Sequence, residues 1–179
     1  VWCITPFSEE FNHIASIQMS DNNQNWKHIF SNDNTSYYPT EVAFDQYDRA
    51  WMGFSNLSTN NNSLINEFSN GGLKVFTYLN SINSSGNIVW FDIVNPSVLP
   101  NGENSSVLSL DIGKIGNQDI LWVLTPQGIQ GFIISGLSLF PIYPLTFYTN
   151  ISFQEGDKVR VDSQNNAWVI SKNGVKVIK

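Results

Sequence analysis

The chain has 179 residues and a formal net charge of −6, with 41% hydrophobic and 13% aromatic residues, enough apolar surface for a packed domain and too much for a disordered segment. Nine Lys and Arg residues stand scattered against fifteen Asp and Glu, which excludes a nucleic-acid surface, because nothing could displace counterions from phosphates. Asn and Ser are abundant and Ala is scarce, so strands joined by polar turns are favoured over helices.

In chain order, the first predicted elements are strands near Val1 to Thr5, His13 to Met19 and Trp26 to Phe30. Cys3 is the single cysteine, which excludes an internal disulfide framework or a cysteine-rich zinc site, and its alternating context reads as a small buried apolar residue. Strands follow near Thr40 to Asp45, Ala50 to Ser55, Leu73 to Tyr78 and Ile88 to Ile93. The next group is near Val107 to Asp111, Ile120 to Thr125, Ile129 to Ile134 and Leu145 to Thr149. The last three lie around Val159 to Asp162, Ala167 to Ser171 and Gly174 to Ile178. No signal-peptide pattern opens the chain. The uncharged stretch Gly131 to Tyr148 is interrupted by Ser135, Gly136, Pro141 and Pro144, so it reads as strands beside a proline-rich turn and not as a membrane span.

Four tryptophans organise these elements. Trp2, Trp51, Trp122 and Trp168 stand in near-copies of one pattern, and the last three follow an alternating segment that ends at Asp45, Asp111 or Asp162. Glycines at 72, 128 and 174 then open another strand-like run. The intervals between tryptophans are 49, 71 and 46 residues, which suits a four-stranded antiparallel blade of a β-propeller, with one large insertion. The expected units are a partial blade at 1–39, blades at 40–105 and 106–157, and a partial blade at 158–179. Second and third strands occur at both ends of the chain, so closure by strand exchange is not expected. The remaining blades of a parent chain are the expected partner. Each tryptophan recurs at one position of the second strand, which makes it blade core rather than a sugar-stacking platform.

Chemistry is sparse. The turns Asp45 to Arg49 and Asp162 to Asn166 lack the glycine and distal Glu of a calcium loop and read as Asp residues capping their own turns. His13 and His28 have no second ligand at metal spacing. No nucleophile elbow, zinc helix or phosphate loop is present, so no catalytic residue, metal or cofactor is assigned. Loops between second and third strands, and between successive blades, emerge on the face where propeller ligands usually bind. The candidates there for a glycan or protein ligand are Tyr37, Tyr38, Phe68 and Asn101.

The pattern D-x-x-x-x-A-W-V-x-S-x-x-G-V, from Asp162 to Val175, resembles the two-component-regulator propeller repeats of bacterial periplasmic sensors. It is also similar to the propellers of PorZ-like accessory proteins of type IX secretion. One departure is the glycine-threonine that often follows the family tryptophan, which here is Gly53-Phe54-Ser55 in one copy and is missing as a pair elsewhere. The resemblance implies a non-enzymatic binding or scaffold module, periplasmic or at the cell surface, that serves secretion or ligand sensing. Propeller lyases and glycan-cleaving enzymes, and the sensory half of a hybrid histidine kinase, are the alternatives.

Overall fold

The computed structural model describes residues 2–5, 16–20, 26–29, 38–55, 71–76, 99, 105–142 and 152–178. The strands among these residues are β1 (Trp2–Thr5), β2 (Ser16–Ser20), β3 (Trp26–Ile29), β4 (Tyr38–Phe44), β5 (Ala50–Ser55), β6 (Gly72–Phe76), β7 (Ser109–Ile115), β8 (Gln118–Thr125), β9 (Gly128–Ser135), β10 (Ser138–Pro141), β11 (Lys158–Val161), β12 (Ala167–Ser171) and β13 (Gly174–Ile178). No helix occurs among the described residues. The strands form four antiparallel sheets, ordered β1-β2-β3, β4-β5-β6, β10-β9-β8-β7 and β11-β12-β13. Each is a meander in which strands adjacent in sequence are adjacent in space.

The last three sheets stack face to face. In β5 every residue is buried, and in β8 only Gln118 is exposed and Trp122 partly so, whereas a strand with one wet face would alternate. Period-two geometry shows how this arises. On β5 the Trp51 side packs, with Ala43, Leu73 and Val75, against Leu110, Leu121, Val123 and Phe132 of the β7–β10 sheet. The opposite side of that sheet, with Trp122, Leu124 and Ile129, packs against Val159, Ala167 and Val169 of the last sheet. Two seams of the same design therefore follow one another along the chain. In both, the tryptophan side of one sheet receives alternate apolar residues from the second strand of the next.

The first strands of successive sheets converge. β4 lies against β7, and β7 against β11, although each is an edge strand in its own sheet. Sheets radiating from clustered inner edges form an arc of the propeller type.

Several expectations need correction. The strand that completes the β7–β10 sheet is Ser138–Pro141, not a segment near Leu145 to Thr149, which lies outside the described residues, as does Ile88 to Ile93. Gly136, with φ 60, lets the chain reverse within two residues, so β10 pairs at once with β9. Asp111 does not end its strand. β7 runs on to Ile115, and the reversal comes at Gly116, with φ 61.

Gly131 shows how closely the repeat tryptophan is packed. It stands opposite Trp122 in the β8–β9 register, and a Cβ there would come 2.9 Å from Cζ3 of the indole. The ring occupies the room that a side chain would need. Gly131→Ala is expected to lower stability by about 1–3 kcal/mol through overpacking. A urea midpoint unchanged from the parent protein would refute this placement of the ring.

Candidate functional site

Two turns between first and second strands share one design. After β4, Asp45 Oδ1 accepts hydrogen bonds from the backbone N–H of Tyr47 (2.9 Å) and of Arg49 (3.1 Å), while Oδ2 accepts one from Trp51 Nε1 (2.8 Å). After β11, Asp162 Oδ1 accepts from the N–H of Gln164 and of Asn166 (both 2.9 Å), while Oδ2 accepts from Trp168 Nε1 (2.7 Å). Asp48 and Asn165, three residues after each aspartate, have φ of 57 and 65, a conformation that Asn and Asp tolerate better than most residues. The Asp-to-Trp spacing of six therefore has a physical cause: one carboxylate closes the turn and fixes the indole.

These bonds stabilise the charged carboxylate. The Asn166 side-chain amide first, and the Trp168 indole second, hold the Asp162 pKa down at about 2. A group whose pKa is depressed by folding contributes stability above its unfolded value, near 3.8. That contribution is lost as pH falls through the folded value. The Asp162 clamp is thus expected to stay closed at pH 4 and to open towards pH 2. Carboxyl-carbon NMR should place the Asp162 titration near 2, and a midpoint at an ordinary aspartate value would contradict the bonding described.

Asp111 behaves differently. Its Oδ1 accepts from the N–H of Ile112 and its Oδ2 from that of Val161, each at 2.8 Å. It ties its sheet to the inner strand of the next and does not cap its own turn. Turn contacts cross the seams as well. Gln46 N–H donates to Asp119 Oδ2 (2.7 Å), and Lys114 N–H to Asn165 Oδ1 (2.8 Å).

Among the described residues, the inner strands supply a polar cluster to which three sheets contribute. Glu41 of β4 receives on Oε2 the Lys158 ammonium (3.0 Å), the Arg160 guanidinium (3.1 Å) and the Ser109 hydroxyl (3.2 Å). Ser109 of β7 is fully buried, and its Oγ also accepts from Val159 N–H and from Arg160 Nη1, both at 3.2 Å. With its proton given to Glu41 and two donors on its oxygen, this hydroxyl's hydrogen-bonding capacity is filled. Two cations meet one carboxylate, and both are partly exposed. The cluster can therefore hold the inner edges together and still present N–H donors to an anionic or polar group.

Sequence reasoning missed these four residues. A signal was present, since Glu41, Lys158 and Arg160 are the charged members of otherwise alternating first strands. Of the predicted ligand residues, Tyr37, Phe68 and Asn101 lie outside the described residues. The backbone of Tyr38 opens β4 opposite Ser55. His28 stands opposite Gln18 in β3, an edge strand of its sheet, and His13 lies outside the described residues. Among the tryptophans expected as blade core, Trp2 has its backbone in β1, Trp51 is fully buried and Trp122 is partly buried. Trp168 is 38% exposed, on the side of the last sheet that no described residue covers. Among the described residues no group of His, Cys, Asp or Glu is arranged to hold a metal ion, and no helix is long and apolar enough to cross a membrane.

No family model matches the chain, and no curated protein matches it significantly. Among solved structures it is similar to PorZ, described as an essential bacterial surface component of the type-IX secretion system of the human oral bacterium Porphyromonas gingivalis, with a TM-score of 0.58 and 13% sequence identity. The match covers 91% of this chain and 23% of PorZ, so the chain spans under a quarter of its length. At that identity the likeness is one of fold.

Proposed function

We propose that the chain is part of a β-propeller that serves a bacterial cell-envelope protein as a non-catalytic binding or scaffold module, in secretion of the type IX kind or in ligand sensing. In this reading the sheets are four-stranded blades with boundaries at 1–39, 40–105, 106–157 and 158–179, built from repeats of the two-component-regulator type and located in the periplasm or at the cell surface. The meeting of three inner strands at Glu41, Ser109, Lys158 and Arg160 is the observation that carries it. A polar centre with spare donors and a saturated hydroxyl suits recognition better than bond cleavage. The likeness of fold to a secretion-system surface component lends support from a second direction.

The test is deletion of the gene in the bacterium that encodes it, with complementation by the parent sequence and by the double variant Lys158→Gln, Arg160→Gln. Loss of cargo secretion or of an envelope ligand, restored by the parent and not by a folded double variant, is the expected result. The proposal fails if deletion leaves secretion and surface composition unchanged. It also fails if the purified protein degrades polysaccharide and Glu41→Gln abolishes that activity.

A further inference from the structure

The geometry points to the outer face of the last sheet as a docking surface for one further sheet of the same repeat, supplied by the same polypeptide. This rests on reading the stacked sheets as blades.

In β12 burial alternates, with Ala167 and Val169 buried and Trp168 and Ile170 exposed. In β5, which occupies the same place in its own sheet, nothing is exposed. The register assembles the uncovered side into two rows, Arg160, Trp168 and Val177, and then Lys158, Ile170 and Val175. Within them Trp168 is 38%, Ile170 44% and Val175 58% exposed. A contiguous apolar patch with a cationic inner end is unusual on a surface that stays in water.

The occupant follows from continuity with the two seams already formed. Each covers the tryptophan side of one sheet with alternate residues of the next sheet's second strand, Leu121 and Val123 over Trp51, then Ala167 and Val169 on the Trp122 side. Each also joins a backbone N–H to a side-chain oxygen of the following sheet, Gln46 of the first turn to Asp119 at the start of β8, and Lys114 near the end of β7 to Asn165 of the turn after β11. On the last sheet the corresponding tryptophan is Trp168. The N–H that matches Gln46, one residue after the turn aspartate, is Ser163, which is exposed. The partner sheet is therefore one whose second strand carries small or branched apolar side chains at alternate positions, and offers at its start an Asp or Asn oxygen to Ser163, as β8 offers Asp119 to Gln46. Both existing seams join consecutive sheets of one chain. A second copy is disfavoured because each carries a net charge of −6.

Single-cysteine reporters in the full encoded protein, with Cys3→Ser as background, test this. Ile170→Cys and Val175→Cys report on the open face, Val123→Cys on a seam already formed, and Gln127→Cys on an exposed turn. Both face reporters should react with a maleimide at least roughly a hundredfold more slowly than Gln127→Cys, because labelling would require local opening. The inference is overturned if they label at the turn's rate while Val123→Cys stays protected. It is also overturned if their protection appears only at concentrations where light scattering finds a dimer, since the occupant is then a second copy. If Val123→Cys labels as fast as the turn, it is the stacking of sheets that fails.

Discussion

Trp51→Ala is expected to destabilise the protein by about 3–5 kcal/mol, the usual cost of removing a large buried aromatic side chain. The indole is fully buried, lies between Ala43 and Val75 in the β4-β5-β6 register, and faces Leu121 and Val123 across the first seam. Residues from two sheets would border the cavity, and neither sheet can collapse into it without disturbing its own ladder. Loss of the indole also leaves Asp45 Oδ2 without one of its donors. Trp51→Phe separates these effects, because it keeps much of the volume and removes the N–H. Its cost should fall between that of alanine and none. Equilibrium urea denaturation measures both variants, and a loss below about 1 kcal/mol for Trp51→Ala would mean that the seam is not packed as described.

Local periodicity made most of the strands legible. Ala50 to Ser55 and Ala167 to Ser171 occupy the bounds that their alternation and turn flanks indicate, because period two is a property of neighbouring residues. The Asp turns were legible for the same reason, since an aspartate that caps its own loop needs no distant partner. The completing strand β10 was misplaced because Pro141 and Pro144 are stronger turn signals than Gly136-Leu137, yet the short glycine turn forms the pairing. Asp111 looked like a third copy of the turn aspartate, although its distance to Trp122 is eleven residues and not six. That difference was visible and marks a hairpin in place of a capped loop. Convergence of Glu41, Ser109, Lys158 and Arg160 was not legible, because it depends on which edge of each sheet turns inward, a matter of long-range stacking. The exposure of Trp168 is of the same kind: identical local patterns have different burial when the number of covering sheets differs.

Asp45→Ala is expected to cost about 3–5 kcal/mol, in the range found when one member of a buried ion pair is removed. The Asp45 carboxylate is buried and pairs with the Arg49 guanidinium, while it holds two turn N–H groups and the Trp51 indole. Alanine would leave the fully buried Trp51 Nε1 without its acceptor and the part-buried N–H groups of Tyr47 and Arg49 without theirs, and an unpaired buried donor is penalised more than a formed bond is rewarded. Arg49 adds a second consequence. It also donates to the Gly136 carbonyl of the next sheet and lies over the Tyr47 ring, 5.1 Å from its centroid, so losing its counter-ion loosens a contact across the seam as well as a turn. Asp45→Asn retains an acceptor for the turn but places an amide where two donors converge, or the reverse if it rotates, so a smaller loss is expected. Thermal unfolding of the two variants, with hydrogen exchange at Tyr47 and Arg49, gives the measurement. If Asp45→Ala melts with the parent protein and its turn amides remain protected, the carboxylate is not what closes the turn. The indole would then have to be held by packing alone.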